Sequence, residues 1–374
     1  RDCVRAPDTV SRHGGDEFVI LLPELRQPED AAIAATRLLQ AIAKSHSIDG
    51  HDLHVTTSIG VSVYPDDGLD AETLIKNADT AMYQAKENGH QRYQFFRQAM
   101  NVRAVERQSI EEHLRRALER REFTVHYQPK INLDSKVITG VEALIRWTHP
   151  TRGLISPLQF IPVAEDCGLI LPIGAWVLRE ACAQARAWVD AGLPFMTMAV
   201  NVSAKQFENE NFMRDIFAIL DETGLDPRSL ELELTESVLM RRPELTASIL
   251  LTLRERGIRV AVDDFGTGYS SLSYLRKFPL DALKIDRSFV SQITTIPDEM
   301  TIVRAIISMG RSLNLRVIAE GVETQDQLDF LKLHQCDEAQ GYYFSPPVPP
   351  QEFARLLLES QLPSPNPCQR VVTH

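Results

Sequence analysis

Residues 260–271 read Val260-Ala261-Val262-Asp263-Asp264-Phe265-Gly266-Thr267-Gly268-Tyr269-Ser270-Ser271, and the apolar run before the aspartates begins at Ile258. The pattern predicts a buried parallel strand whose carboxyl end opens into a glycine-rich acidic loop. Asp263 and Asp264 repel each other unless a cation lies between them. A divalent metal ion would remove that repulsion. Alternatively, one aspartate caps the next helix and the other is solvated, and this stretch alone leaves both interpretations open.

Seven similar apolar runs lie on either side of this stretch and alternate with helical patterns. The eight predicted strands cover residues 123–131, 137–147, 196–202, 230–234, 258–262, 282–285, 316–319 and 339–344. Eight strands in roughly 240 residues are typical of a (β/α)8 barrel, an α/β fold of the TIM type. Only residues 132–136 separate the first two strands, so these strands form a hairpin and one of them runs antiparallel to the rest.

The remainder of the chain predicts three further segments. Residues 1–97 form a smaller α/β domain with a Gly14-Gly15 hairpin, helices at 28–44 and 70–88, and strands at 54–64 and 92–96. Residues 98–121 form a charged linker helix whose charges are explained by a solvated face. The barrel domain then covers residues 122–362, and residues 363–374 are expected to be disordered.

Composition excludes several classes of protein. The formal net charge of −11 argues against a general nucleic-acid binder. Five scattered cysteines without a C-x-x-C pair indicate a reducing compartment and no zinc site. No signal peptide or membrane span is visible, so we expect a cytoplasmic protein. The chain begins in mid-pattern at Arg1, which predicts that it is a fragment of a longer protein. We expect a sensory domain upstream, and an upstream membrane segment would place the protein at the cytoplasmic face of the inner membrane.

Strand alternation places polar side chains on the inner face at the carboxyl ends of the predicted barrel strands. One inward carboxylate is explained by an internal salt bridge, but several on one rim need cations. Their all-oxygen chemistry favours Mg²⁺ or Mn²⁺ over Zn²⁺. Such a site suits attack of activated water on a phosphodiester, although the residues do not identify which one. The converging residues are Gln128, Glu142, Arg146, Asn201, Glu233, Asp263, Asp264, Lys284, Glu320 and Gln340.

These residues lie in motifs that resemble the EAL-domain family of cyclic di-GMP phosphodiesterases. The resemblance covers residues 123–358 and shows no departure at a catalytic position, which favours an active enzyme over a non-catalytic receptor. The matching motifs are Tyr127-Gln128-Pro129, Glu142-Ala143-Leu144-Ile145-Arg146, Asn201-Val202-Ser203, Glu233-Leu234-Thr235-Glu236, Asp263-Asp264-Phe265-Gly266-Thr267-Gly268, Lys284-Ile285-Asp286, Glu320-Gly321-Val322-Glu323 and Gln340-Gly341-Tyr342.

The resemblance implies a reaction and a metal site with two ions. The reaction opens cyclic di-GMP to linear pGpG with two Mg²⁺ or Mn²⁺ ions. Glu142, Asn201, Glu233 and Asp263 would ligate one metal, and Asp263 would bridge to a second metal near Asp264.

The resemblance also implies roles around those ions. Lys284 and Glu320 would position and activate the attacking water. Glu236 would brace the loop of residues 264–271, through which regulation would reach the second metal. This loop and the following helix, residues 272–277, often lie at dimer contacts in the family, so a homodimer is expected. The implied substrate contacts are Gln128, Arg146 and Gln340.

The first hundred residues resemble the C-terminal part of a GGDEF (diguanylate cyclase) domain. The signature hairpin is Gly14-Gly15-Asp16-Glu17-Phe18, and Arg5 and Asp8 match the family's R-x-x-D product-inhibition motif. An exposed ion pair explains Arg5 and Asp8 equally well. Because the upstream half of this domain is missing, we expect no synthesis of cyclic di-GMP by this chain, while a longer protein could be bifunctional.

Overall fold

A computed structural model of the chain describes two compact units, Arg1–Ile110 and Glu111–His374. None of the described helices combines the length and the apolar character needed to cross a bilayer. The predicted disordered tail, 363–374, lies outside the described residues. The predicted boundaries near residues 97 and 121 stay predictions. The described residues are 3–25, 27–44, 46–48, 51–53, 55–87, 89, 91–194, 196–267 and 272–360.

The first unit contains the predicted hairpin, in which Gly14 pairs with Glu17 across the turn. The predicted strand at 54–64 is shorter in the structure, and its first residue lies outside the described range. It ends early because the Val63 N–H donates to the Asp67 carboxylate (2.7 Å) instead of to a neighbouring strand. The elements are β1 (Thr9–Gly14), β2 (Glu17–Leu21), α1 (Glu29–Ile42), β3 (His46–Ile48), β4 (His51–Leu53), β5 (Ile59–Val61), α2 (Ala71–Glu87) and β6 (Tyr93–Phe95). The helix α3 (Gln98–Ala117) begins in this unit and ends in the second one.

The second unit is a closed barrel, as the sequence predicted. The strands follow around the barrel in the order of the chain from β10 to β15, then β7 and β8, and β8 closes on β10 in parallel. β7 runs antiparallel to both of its neighbours, which confirms the predicted hairpin. The strands are β7 (Phe123–Asn132), β8 (Ile138–His149), β9 (Gly153–Ile155), β10 (Thr197–Asn201), β11 (Leu230–Thr235), β12 (Arg259–Phe265), β13 (Ala282–Ile285), β14 (Arg316–Ala319) and β15 (Glu338–Ala339).

Helices surround the barrel and bury their apolar faces against it. Several begin with proline in the first turn, where its missing N–H has no cost. Gly224 ends α7 in the left-handed conformation. The helices are α4 (Pro157–Asp166), α5 (Ile170–Asp190), α6 (Ala204–Phe207), α7 (Phe212–Thr223), α8 (Glu236–Arg241), α9 (Pro243–Glu255), α10 (Leu272–Leu275), α11 (Arg287–Val290), α12 (Pro297–Ser312), α13 (Gln325–Leu333) and α14 (Pro350–Ser360).

The last barrel strand differs from the prediction, which extended it to residue 344. It ends at Ala339 because the chain then crosses closely over Val322 at Gly341. A Cβ at Gly341 would lie 2.2 Å from the Val322 carbonyl oxygen, so only glycine fits there. This crossing places Gln340 at the mouth of the barrel.

Candidate active site

Lys284 occupies the centre of the candidate site at the carboxyl end of β13. Its side chain is fully buried, and Nζ lies 2.5 Å from Glu233, 2.6 Å from Glu320, 3.2 Å from Asp263 and 3.6 Å from Glu142. Burial alone would lower the pKa of Lys284, but the surrounding carboxylates together outweigh burial and hold it well above its ordinary value. The structure therefore brings together carboxylates from three strands, and one from the residue directly after β14, around one ammonium group.

Asp264 joins this cluster through an irregularity at the end of β12. The register between β12 and β13 shifts between Val262 and Phe265, and Asp264 has a φ of +51°. In a regular strand the side chains of Asp263 and Asp264 would point to opposite faces. Here each of them, together with Glu320, offers an oxygen, and these oxygens all lie within 4.8 Å of one another. The irregularity thus turns two adjacent carboxylates towards one point.

Crowding changes the protonation of this cluster. Burial, with the nearby charges of Asp263 and Asp286, raises the pKa of Asp264 to about 6. Burial also raises the pKa of Glu320 well above its ordinary value, although Lys284 opposes the shift. With all groups ionised, the carboxylates of residues 142, 233, 263, 264 and 320 would exceed the one ammonium group by four negative charges. The site therefore has both the charge and the oxygen ligands to accept divalent cations.

A chain of amide hydrogen bonds orients Glu142. Asn201 Nδ2 donates to one oxygen of Glu142 (2.6 Å), and Gln340 Nε2 donates to the other (2.6 Å). The same Gln340 nitrogen donates to Gln128 Oε1 (2.8 Å), whose own Nε2 donates to the Ser345 carbonyl (3.0 Å). Gln340 Oε1 is buried and has no hydrogen-bond partner within the described part of the chain. The structure thus brings Gln128, Glu142, Asn201 and Gln340 together, while their roles in binding metal and substrate stay predictions.

Two other predicted residues lie at the margin of the cluster. Glu236 is buried at the start of α8, and its Oε2 lies 3.4 Å from the Gly266 N–H, which donates to it. Residues 268–271 of the predicted loop lie outside the described residues. Arg146 is partly buried, which lowers its pKa, and it donates to the Ile145 carbonyl (2.8 Å) and not to the carboxylates of the cluster.

Arg5 and Asp8 belong to the first unit. The Arg5 N–H donates to the Asp8 carboxylate (2.6 Å), and the Asp8 N–H donates to the Arg5 carbonyl (3.0 Å). This contact closes a turn before β1. A regulatory role for the two residues stays a prediction.

The sequence prediction missed a second layer of charge deeper in the barrel. Lys130 Nζ lies 2.7 Å from Glu233 Oε1 and 2.8 Å from Glu231 Oε1. Glu231 also pairs with Arg316, and Arg316 pairs with Glu338 (3.3 Å). Burial would raise the pKa of Glu231, but the two cations together outweigh it and lower that pKa to about 2. Strand alternation could have found these residues. Lys130, Glu231 and Glu338 each lie two positions from a predicted site residue. Arg316 lies two positions from Ile318, which pairs in register with Lys284.

Comparison with known proteins identifies related chains. Residues 111–347 match the family model described as EAL domain, and residues 1–92 match the one described as diguanylate cyclase, GGDEF domain. The chain is 46% identical over 349 residues to MucR of Pseudomonas aeruginosa, described as a bifunctional diguanylate cyclase/cyclic di-GMP phosphodiesterase. It is 44% identical over 349 residues to NbdA of the same organism, described as a cyclic di-GMP phosphodiesterase.

These alignments cover 93% of this chain but 51% of MucR and 44% of NbdA, so the chain spans about half the length of these relatives. A solved structure of the PaMucR phosphodiesterase in complex with c-di-GMP is also similar, with a TM-score of 0.64 and 45% identity. That similarity covers 66% of this chain and 99% of the solved chain.

Proposed function

The chain belongs to the EAL domain family, and on that premise we propose that it hydrolyses cyclic di-GMP to linear pGpG. The observation that carries the proposal is the set of carboxylates around Lys284 at the mouth of the barrel. Active sites of (β/α)8 barrels lie at this end of the strands. The relatives described as cyclic di-GMP phosphodiesterases support the choice of substrate.

Two Mg²⁺ or Mn²⁺ ions fit the donor set. The excess of four negative charges equals the charge of two divalent cations, and the set contains oxygen ligands without histidine or cysteine sulfur. When bound, the ions neutralise phosphate charge and favour ionisation of a water molecule. The residues proposed to hold them are Glu142, Asn201, Glu233, Asp263 and Asp264.

The protein side chains supply positioning and proton transfer. The Lys284 ammonium group is held rigidly by Glu233 and Glu320, and it would orient the attacking water by donating to it. Glu320, whose pKa is raised by burial, would accept the proton of that water. Gln340 and Gln128 at the barrel mouth, together with Arg146, would bind the substrate. Glu236 would brace the loop after Asp264 through its contact with the Gly266 N–H.

The decisive experiment is incubation of the purified chain with cyclic di-GMP and Mg²⁺ or Mn²⁺, with pGpG measured by chromatography. Glu142→Gln keeps the shape of the side chain and should abolish turnover. Glu255→Gln removes an exposed carboxylate on α9 and is the matched control. Ca²⁺ should inhibit, because its larger and looser coordination misplaces the water. Binding of cyclic di-GMP without any turnover by the wild type would reject hydrolysis and leave a receptor.

We also propose the cellular setting and the partners. The described cysteines are free thiols, which suits the reducing cytoplasm. We expect a homodimer that forms through the barrel unit, and a sensory domain upstream of this chain. Together they would allow a signal to regulate the loop after Asp264. Sedimentation velocity tests the dimer, and a monomer at all concentrations would contradict it.

A further inference from the structure

We propose that Lys130, which lies beneath the site, is a positioning residue for Glu233, an inference that rests on the proposed metal-dependent function. Glu233 has two oxygens with different partners. Oε1 accepts a hydrogen bond from Lys130 (2.7 Å), while Oε2 accepts one from Lys284 (2.5 Å). Lys130 therefore fixes the rotation of this carboxylate from the side opposite to the site.

Lys130 is itself held in place. Its Nζ donates to Glu231 Oε1 (2.8 Å), and the second oxygen of Glu231 pairs with Arg316. Lys130, Glu231 and Glu233 are each no more than 1% exposed. A flexible side chain in this position has lost its freedom of rotation, so it can define the orientation of the group that it contacts.

The charges of this deeper layer balance without help from the site. Lys130 and Arg316 carry two positive charges, and Glu231 and Glu338 carry two negative charges. The carboxylates nearer the barrel mouth are thus left for Lys284 and for added cations. Lys130 contacts only Oε1 of Glu233, so the other oxygen, Oε2, stays on the side of the site, where it contacts Lys284.

Space for these long side chains comes from small residues on the neighbouring strands. Ala261 pairs in register with Glu233, and Ala282 pairs with both Ala261 and Arg316. Residues in register point to the same face of a sheet. Ala261 and Ala282 belong to one buried cluster with Ile318, so the barrel interior accommodates the lysines where larger side chains would exclude them.

The test compares Mn²⁺ binding, by calorimetry and by electron paramagnetic resonance, in the wild-type chain and its variants. Lys130→Met removes the contact to Glu233. If this variant misfolds, the double variant Lys130→Met/Glu231→Met replaces the buried pair by apolar residues of similar volume, which proteins often tolerate. Outer-shell partners of metal ligands typically contribute about 10- to 100-fold to affinity. We expect a loss of that size, together with a changed resonance spectrum.

Glu338→Gln is the matched control, because Glu338 belongs to the same buried layer but contacts Arg316 and Thr139 and not Glu233. It should lower stability and leave Mn²⁺ affinity within about twofold of the wild type, well below the outer-shell effect. Wild-type affinity in the double variant, or an equal loss in Glu338→Gln, would overturn the role of Lys130. A wild-type chain that binds Mn²⁺ but does not hydrolyse cyclic di-GMP would reject only the proposed function, since the binding comparison still decides on Lys130.

Discussion

The Asp264 N–H donates a 3.0 Å hydrogen bond to Oδ1 of Asp263, and Asp264 adopts a φ of +51°. Asparagine and aspartate tolerate this left-handed conformation better than other non-glycine residues, whose Cβ approaches the carbonyl oxygen. The residue at position 264 therefore has two separate tasks, to allow the turn of the backbone and to carry a charge.

Two substitutions at Asp264 separate these tasks. Asp264→Asn keeps the backbone preference and removes the charge, whereas Asp264→Ala removes both. We expect both variants to lose activity, while only Asp264→Ala loses about 1–2 kcal/mol of unfolding free energy. Urea denaturation in the presence of a chelator measures this difference. Equal stability of the two variants would show that the conformation at this position has no energetic cost.

Divalent metal affinity should increase as pH rises through about 6. The pKa of Asp264 is raised to about 6 in the metal-free chain, so below that pH this carboxyl group carries a proton that a metal ion must displace. Calorimetric titration with Mn²⁺ in two buffers of different ionisation enthalpy reports the number of protons released. The range from about pH 5.5 to 7.5 spans this transition. A Mn²⁺ affinity that stays constant across that range would contradict the prediction.

Lys284→Met should destabilise the metal-free chain at neutral pH. The substitution leaves four carboxylates around an apolar side chain, and loss of one partner of a buried ion pair costs about 3–5 kcal/mol. The cost should shrink near pH 5, because the carboxylates then take up protons. Urea unfolding at the two pH values provides the measurement, and Lys136→Met, at an exposed position in the turn between β7 and β8, is the control.

Gln340→Met should lower both stability and substrate affinity. It removes the amide nitrogen that donates to Glu142 and to Gln128, and buried acceptors left without a donor cost about 1–3 kcal/mol. Thermal unfolding and the KM for cyclic di-GMP measure the two effects. Gln351→Met on the exposed side of α14 is the control, and a similar loss in that variant would assign the effect to methionine itself.

Glu236→Ala should reduce turnover more than it reduces stability. The variant removes the acceptor of the Gly266 N–H, so the backbone that follows Asp264 loses one of its anchors. The concentration of Mg²⁺ that gives half-maximal activity should rise about tenfold, in line with other groups that orient metal ligands. Normal activity with normal metal dependence would exclude a role for Glu236.

The sequence predicted the barrel because its strands and helices alternate with clear periodicity and because residues 132–136 are too few for a crossover. It also placed the rim residues, since alternation along strands needs no knowledge of tertiary structure. The sequence could not show that the side chains of Asp263 and Asp264 turn towards the same point, because this depends on a register shift between β12 and β13. Lys130 and Glu231 were missed because the prediction considered only polar residues at the ends of the strands, whereas these two lie buried one alternation step deeper in the barrel.

The seam between β15 and β7 has a consequence for synthesis of the protein. Gln340 and Gln128 meet across this seam although 212 positions separate them in the chain. Until the ribosome has released residue 340, the emerging barrel keeps an unpaired strand edge and Glu142 lacks the Gln340 donor. The proposed site is therefore unfinished during translation, and the nascent chain stays exposed to edge-to-edge association until the last barrel strand is in place.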